Sequence, residues 1–400
     1  MTPLKPQGHG RSPSTPGALA RCVGDPGRFL AERWGKRAHL HQGVTVEGLL
    51  GVDDVDHILA TMALRAPALR VIREGRTLDQ SAYTRHARIG SRTVTDLIDV
   101  GRVYGHFAEG ATIVLQGLHR YWHPVSDLCR QLEHELTHPL QANAYITPPV
   151  AQGLRVHADT HDVFALQTHG RKQWVVYEGD QAPGPDGSDG VPTLDAQLWP
   201  ADCLYLPKGT HHAARTVDSA SIHLTLGVRT ITWGDVLRPA IDRAVAEVNP
   251  DEPLPAGFAH DPGGVAEEAA RRLTDLAGAI GQADASATVA DAGRRFWTSR
   301  NPSYSGRLHQ LLVAGDVYDR TVVRRRPGST CEIRTVGRHV EIVLRDRTLR
   351  MPAAVEPAVR AAVGAERFEV GDLREHLDEA GRVTLVQRLI RDGLLIVVDE

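Results

Sequence analysis

The residues of this chain whose types and spacing could do chemistry are His157 and Asp159, with a further imidazole downstream in Pro207-Lys-Gly-Thr-His-His212. Two imidazoles and one carboxylate can occupy one face of a ferrous ion and leave the opposite face open to substrate and O2, which is the donor set of an oxygenase. A spacing of two puts His157 and Asp159 on the same face of a strand, roughly 6 to 7 Å apart along it and within reach of one ion. The third donor follows a strand-like run, Asp202-Cys-Leu-Tyr-Leu206. The turn Pro207-Lys-Gly-Thr210 then presents His211 or His212 at the start of the next strand. Zinc is the nearest competitor, but its usual three-ligand sites use three His, or two His with Glu or Cys.

Chance pairs must be separated from meaningful ones in a chain with 20 histidines. A second His-x-Asp, His376-Leu-Asp378, sits in a helical pattern with no turn-plus-His segment after it and reads as surface. The first is followed by two apolar runs, Val163 to Leu166 and Trp174 to Tyr177. The polar connector Thr168-His-Gly-Arg171 joins them, with Gly170 suited to a tight turn. The pair is therefore expected to open a hairpin. Lys172 lies just past that turn, and the alternation after it leaves it either inside the barrel or on the surface of the connector.

The segments Asn143-Ala-Tyr-Ile-Thr-Pro-Pro149, His157-Ala-Asp159, Asp162-Val-Phe-Ala-Leu-Gln167, Gly170-Arg-Lys-Gln-Trp174 and Leu206-Pro-Lys-Gly-Thr-His-His-Ala213 resemble the JmjC-type cupin oxygenases of the ribosomal oxygenase group. The match is dense from Gln141 to Arg229 and one of architecture beyond. Members of that family are Fe(II)- and 2-oxoglutarate-dependent hydroxylases of ribosomal proteins. The resemblance implies that His157, Asp159 and His212 hold iron. His212 is preferred to His211 because the family motif leaves one residue between the Thr position and the ligand. It further implies that Lys172 pairs the distal carboxylate of 2-oxoglutarate, that Asn143 lies beside this cosubstrate and that Tyr145 lines the substrate cleft. Gly227 falls where some relatives carry a serine near the cosubstrate. The role given to Lys172 suits its chemistry: a dicarboxylate that chelates a metal by its 2-oxo acid end still needs a cation for its other end.

Around these residues the chain must supply a barrel. Its 400 residues, 42% hydrophobic and 24% charged, suffice for two or three soluble domains. The expected fold class is α+β: a double-stranded β-helix (cupin or jelly-roll, JmjC) core, then a helical dimerisation domain and a C-terminal winged-helix-like domain. The expected boundaries are a disordered tail over 1–20, the JmjC/cupin catalytic domain with N-terminal helices over 21–230, the helical domain over 231–301 and the winged-helix-like domain over 302–400. The tail is rich in Pro, Gly and Ser and lacks the apolar stretch of a secretory signal. No apolar run of about twenty residues marks a membrane span. Cys22, Cys129, Cys203 and Cys331 form no pairing pattern, which favours a reduced cytoplasm. A net charge of −3 argues against a general nucleic-acid binder and leaves room for local basic clusters.

Within the first domain the pattern reads as a helix from Phe29 ending at Gly35 and turning into a strand. Short helices follow over Val46 to Leu64 and Thr95 to Val100, strands over Leu69 to Arg73 and Ala111 to Gln116, and an amphipathic helix over Asp127 to Leu136. Gly179 to Val191 reads as a flexible acidic loop, either a lid or a plain insertion. His223 is expected in the core or cleft and not as a ligand. Helices over 236–248, 265–280 and 288–298 carry apolar stripes that suit a dimer surface, and in the resembling family this region dimerises; a monomeric linker is the alternative. Beyond Val336 comes a strand from Val340, helices over 353–363, 370–378 and 382–392, and a strand from Leu394. The last of those helices is too apolar, and its Arg388 and Arg391 too well countered by acids, to read DNA; structural or protein docking is expected.

The expected activity is therefore hydroxylation of a protein side chain, by resemblance a His or Arg of a ribosomal protein, using Fe(II), 2-oxoglutarate and O2 in a homodimer. Two alternatives stay open: a cupin metal enzyme acting without 2-oxoglutarate on a small molecule or peptide, and a non-catalytic cupin binding protein. Histone demethylation also occurs in the family, but the sequence holds no zinc-finger or chromatin-reader signal.

Overall fold

The structure, a computed structural model, describes residues 17–151, 154–177, 184, 190–301, 304–329, 331–344 and 346–398. It divides into two compact units, Met1–Thr230 and Ile231–Glu400.

The first unit runs α1 (Ala18–Val23), α2 (Pro26–Glu32), β1 (His39–Gln42), α3 (Val52–Thr61), β2 (Leu69–Arg73), β3 (Arg76–Thr77), β4 (Thr84–Ile89), β5 (Arg92–Ile98), α4 (Val100–Ala108), β6 (Thr112–Leu115) and α5 (His123–Leu136). It continues with β7 (Leu140–Thr147), β8 (His157–Ala158), β9 (Asp162–His169), β10 (Lys172–Tyr177), β11 (Leu194–Leu198), β12 (Asp202–Leu206), β13 (His211–Thr216) and β14 (Ser221–Val228). An eight-stranded sheet has the order β1-β12-β9-β14-β7-β6-β2-β3, and a four-stranded sheet the order β11-β10-β13-β8. This is the double-stranded β-helix that the sequence led us to expect.

Strand alternation gives the large sheet two different faces. Ala142, Ala144, Ile146, Phe164, Leu166, Leu224, Leu226 and Val228 join the core that α5 closes with Leu128 and Leu132. The residues between them on the same strands, among them Asn143, Tyr145, Thr147, His223 and Thr225, take the opposite face. There a smaller core of Val163, Ala165, Trp174, Val176, Leu198, Leu204 and Leu206 fills part of the barrel and leaves the rest to polar groups. On the helical side Phe29 stands edge-on to Tyr205, with ring centroids 4.8 Å apart, and 5.9 Å from Phe164. Helix α2 reaches that place with Pro26 at its first turn and the Asp25 carboxylate accepting from the Arg28 N–H.

Several expectations need correction. β9 and β10 are not hairpin partners: β9 lies between β12 and β14, and β10 between β11 and β13. The turn at Gly170 hands the chain from one sheet to the other. It does so at a positive φ of 60°, where a Cβ would run into the Ala220 carbonyl. Thr95 to Val100 is not a helix. β5 extends to Ile98, and α4 begins only after Asp99, whose carboxylate accepts from the Arg102 N–H. Of the tail placed over 1–20, residues 1–16 lie outside those described, and Ala18 and Leu19 are already buried in α1. The Gly179–Val191 loop lies largely outside the described residues.

The second unit holds α6 (Trp233–Glu247), α7 (Gly263–Gly281), α8 (Ala285–Thr298) and α9 (Arg307–Val313), then β15 (Val322–Arg325), β16 (Glu332–Val336), β17 (His339–Val343) and β18 (Thr348–Pro352). After these come α10 (Glu356–Gly364), β19 (Arg367–Glu369), α11 (Glu379–Arg391) and β20 (Leu395–Val397). Its two small sheets, β19-β15-β20 and β16-β17-β18, share a core with α10 and α11 built on Val323, Ile342, Val359, Phe368 and Leu389. Residues 370–375 form a 3-10 turn and not an α-helix, and the Asp378 carboxylate caps α11 by accepting from the Gly381 N–H. Among the described residues no helix is long and apolar enough to cross a membrane.

The Phe29 ring sits at the junction of α2, β9 and β12, so Phe29→Ala should lower the stability of the first unit by about 3–5 kcal/mol, the usual cost of emptying a buried aromatic site. Denaturant unfolding followed by tryptophan fluorescence measures it.

Candidate metal centre

β8 is two residues long, and its register against β13 sets His157 opposite His212 and Ala158 opposite His211. The two imidazole centroids are 4.4 Å apart. Asp159 follows directly, with its Oδ2 3.7 Å from His212 Nε2. One donor atom from each of His157, Asp159 and His212 lies within 4.8 Å of the other two. His211 points the other way along β13, so register as well as motif favours His212.

Both rings are oriented for a metal. His157 Nδ1 lies 2.9 Å from the Arg155 carbonyl and His212 Nδ1 3.0 Å from the Thr210 carbonyl. A carbonyl only accepts, so each Nδ1 carries the proton and each Nε2 lone pair is left for an ion. Burial, then the facing His157, push the His212 pKa down to about 4, which keeps the ring neutral.

The turn carrying His212 is held from two sides. The Lys208 N–H donates to Asp162 Oδ1 at 2.8 Å, and the Tyr205 hydroxyl donates to Asp162 Oδ2 at 2.5 Å. The Gly35 N–H in turn donates to the Tyr205 hydroxyl at 2.8 Å, and the Gly209 N–H donates to the Asp159 carbonyl at 2.9 Å. Residue 209 sits at φ +82°, which glycine alone adopts without strain.

Lys172 enters the barrel and is 2% exposed. Its Nζ donates to Thr147 Oγ1 at 3.0 Å and approaches His223 Nδ1 at 3.5 Å. Among the described residues no carboxylate forms an ion pair with it, and burial pushes its pKa down to about 7. Three buried polar atoms on the same inner faces, Ser221 Oγ, Gln167 Oε1 and Trp174 Nε1, have no hydrogen-bond partner among the described residues. A buried cation without an acid, among polar atoms without partners, fits a polar, anionic guest.

Aromatic rings line the space between this cation and the cluster of His157, Asp159 and His212. Trp174 stacks on His212 at 5.8 Å and meets His223 edge-on at 5.3 Å, while His223 stacks on Tyr145 at 5.0 Å. His223 is buried in the cleft, and its pKa lies well below the usual value, from burial and then the Lys172 charge. The Tyr145 hydroxyl accepts from Arg70 Nη2 at 3.4 Å. Asn143 Oδ1 accepts from the Gly117 N–H at 3.0 Å, which aims its amide. The sequence reading missed Thr147, although it continues the period-two series Asn143, Tyr145. It also missed Asp162 and Tyr205, for which a lone carboxylate opening an apolar strand was the available signal. At Gly227 any Cβ would meet the imidazole of His161, so that ring takes the space of a side chain at this position.

Comparison with known proteins bears on the same segment. The model of the JmjC domain family matches residues 118–236. "Ribosomal oxygenase 2" of Rattus norvegicus is 39% identical over 116 residues, covering 27% of this chain and 25% of the relative. "Bifunctional lysine-specific demethylase and histidyl-hydroxylase NO66" of Dictyostelium discoideum is 30% identical over 200 residues, covering 44% of this chain and 39% of the relative. The chain thus spans well under half of these curated relatives. The structure of YcfD, a ribosomal oxygenase from Escherichia coli, in complex with cobalt and 2-oxoglutarate superposes with a TM-score of 0.51 at 16% identity, over 93% of this chain and 98% of that one. Residues 118–236 are a JmjC domain, and the chain around them resembles the ribosomal oxygenases in sequence across that domain and in fold across nearly its whole length.

Proposed function

We propose that this protein is an Fe(II)- and 2-oxoglutarate-dependent oxygenase that hydroxylates a His or Arg side chain of a ribosomal protein. The observation that carries the reading is the convergence of His157, Asp159 and His212 beside a buried Lys172 that has no acid partner. The names of the relatives and the cobalt and 2-oxoglutarate bound by YcfD support it.

In this reading the two Nε2 atoms and the Asp159 carboxylate hold the metal, and Lys172 with the Thr147 hydroxyl receives the distal carboxylate of 2-oxoglutarate. Iron and 2-oxoglutarate, when bound, supply O2 activation coupled to decarboxylation to succinate and CO2, which makes an unactivated C–H bond reactive. The chain's share is positioning and exclusion of water. Trp174 and His223 wall the interior, Tyr145 is steadied by Arg70, and the Asn143 amide, its oxygen taken by Gly117, has N–H donors to offer cosubstrate or substrate.

The finer organisation belongs to the same proposal. The catalytic domain spans 21–230, a helical domain over 231–301 pairs two copies, and 302–400 forms a winged-helix-like module for structural or protein contacts, in a cytoplasmic protein. Apolar exposure supports the pairing: Trp233 is 73% and Leu273 66% exposed, and α7 buries none of its residues. Replacing both Trp233 and Leu273 by Ser should shift the particle from dimer to monomer in light scattering.

Ribosomes from cells with and without the gene, compared by intact-protein mass, test the activity. One protein should carry one extra oxygen only when the wild-type gene is present, and Asp159→Ala or Lys172→Ala should abolish both that oxygen and substrate-dependent succinate. Loss of a methylene unit in place of oxygen gain would convert the assignment to demethylation.

The titration of Lys172 gives a separate check. Its folded pKa of about 7 lies below the ordinary 10.5, so between these values the unfolded chain binds more protons and stability rises with pH. Below about pH 7 the full cost of burying the charge is present. Lys172→Met should therefore stabilise the ligand-free protein most below pH 7, by roughly a few kcal/mol, since each tenfold weakening of proton binding corresponds to about 1.4 kcal/mol. The gain should shrink as pH climbs, while 2-oxoglutarate with metal protects only the wild type against thermal unfolding.

A further inference from the structure

β4 and β5 pair with one another and belong to neither sheet of the barrel; one isolated bridge, Arg65 to Leu97, together with the Arg65–Asp96 ion pair and Arg102 donating to the Thr84 carbonyl, ties their base to the rest of the unit. The result is a two-stranded ribbon from Thr84 to Ile98 whose turn, at Gly90 and Ser91, is exposed. Its arginines are exposed as well: Arg85 and Arg88 on one strand, Arg92 at the start of the other, with His86 between the first two. From Gln80 to Thr95 the chain has no acidic residue. The acids at either end are occupied, because Asp79 Oδ1 accepts from the Ser81 N–H and hydroxyl, and Asp96 is paired with Arg65 at 2.7 Å.

Some surface arginines of this unit are matched by acids, as in Arg73 with Glu109, Arg130 with Asp127 and Arg171 with Asp218, while others, among them Arg37, Arg120 and Arg215, are exposed without an ion pair among the described residues. Among the described residues the side chains of Arg85, Arg88 and Arg92 have neither an ion pair nor a hydrogen bond, and the same holds for Arg76 on the exposed edge strand β3. What sets the ribbon apart is density: in a chain of net charge −3, Arg85, Arg88 and Arg92 lie close together in a stretch, Gln80 to Thr95, that holds no acid. Such a cluster repels itself until a polyanion covers it.

We propose that the β4–β5 ribbon binds the phosphate backbone of RNA. Guanidinium groups bind phosphate oxygens in bidentate fashion, and side-chain hydroxyls, here Thr84, Ser91, Thr93 and Thr95, add neutral donors of the kind that contact phosphate and sugar. The exposed residues come from both strands and from the turn, so the ribbon offers donors on more than one side, as a body lying along a nucleic-acid strand requires. The carboxylates of an acidic protein patch could accept from the same donors, so the test sets poly-glutamate against RNA. The choice of RNA rests on the proposed ribosomal-protein substrate, which is presented beside ribosomal RNA. The ribbon would then dock the enzyme on its substrate's surroundings, apart from the metal centre.

The test is fluorescence anisotropy of the full-length, metal-free protein with a labelled RNA stem-loop across a salt series. Wild type should bind, with affinity falling steeply as salt rises. The variant R85Q/R88Q/R92Q should bind at least tenfold more weakly and show a salt slope smaller by about 2, since each phosphate contact contributes roughly 0.7–0.9 to that slope. The control R338Q/R367Q/R374Q removes the same charge from the second unit and should bind like wild type, and matched thermal unfolding shows that the ribbon variant remains folded. Absence of RNA binding at low salt, equal binding by the ribbon variant and the control, or tighter binding of poly-glutamate than of RNA would each overturn the proposal. Because the measurement needs neither metal nor turnover, it can fail while hydroxylation stands, and hydroxylation can fail while it stands.

Discussion

One rung of backbone pairing governs the candidate centre: His157 of β8 opposite His212 of β13. A two-residue strand cannot fix its own register, and a slip of one residue would turn His157 out and bring Ala158 inward. The register is instead imposed from outside the strand. On one side the Gly209 N–H holds the Asp159 carbonyl. On the other, Thr216 at the far end of β13 clamps the segment before β8: its N–H and hydroxyl reach the Ala151 carbonyl, its hydroxyl donates to the Pro148 carbonyl, and its Oγ1 accepts from the Ala151 N–H. The convergence of His157, Asp159 and His212 is thus a consequence of how the segment before β8 is fastened at Pro148 and Ala151.

The interior is electrically polarised. At one end stand two imidazoles and a carboxylate, suited to a cation. At the other a buried ammonium lies against an imidazole that its own charge helps to keep neutral. Trp174 and Tyr145, with buried bodies and single polar groups, fill the distance between the ends. A guest that completes both ends must chelate a metal and carry a second negative charge, a narrower requirement than either end makes alone. This is why the barrel reads as a dicarboxylate site and not merely as a metal site.

Much of this was legible in the chain because its signals are local. His157 and Asp159 are two residues apart, and the turn before His212 is written in Pro207, Gly209 and Thr210. Strand periodicity also marked β7, β9, β10 and β12, but it reports which residues share a face and not which strands are neighbours. Hence the false hairpin between β9 and β10, which in fact belong to different sheets. Thr95 to Val100 misled for a related reason, since its apolar and β-branched residues suit a strand end as well as a helix start and only the Asp99 cap divides the two. The contact of His161 with Gly227, and that of Lys172 with Thr147 and His223, join residues far apart in sequence. No spacing rule reaches them.

The two cores of the first unit explain how so polar an interior is tolerated. The helices bury the outer face of the central strands of the large sheet, so the inner face needs only the smaller apolar core around Trp174 and has room for Lys172, His223, Thr147 and Ser221. Tyr205 connects the two sides. Its ring packs with Phe29, Phe164 and Trp34 in the outer core, while its hydroxyl reaches Asp162, whose other oxygen holds the Lys208 N–H in the turn before His212. The position of His212 is thereby referred to the aromatic cluster of Phe29, Phe164 and Trp34. Rigidity made by hydrophobic burial on one face of β12 is delivered, through one phenol and one carboxylate, to chemistry on the other.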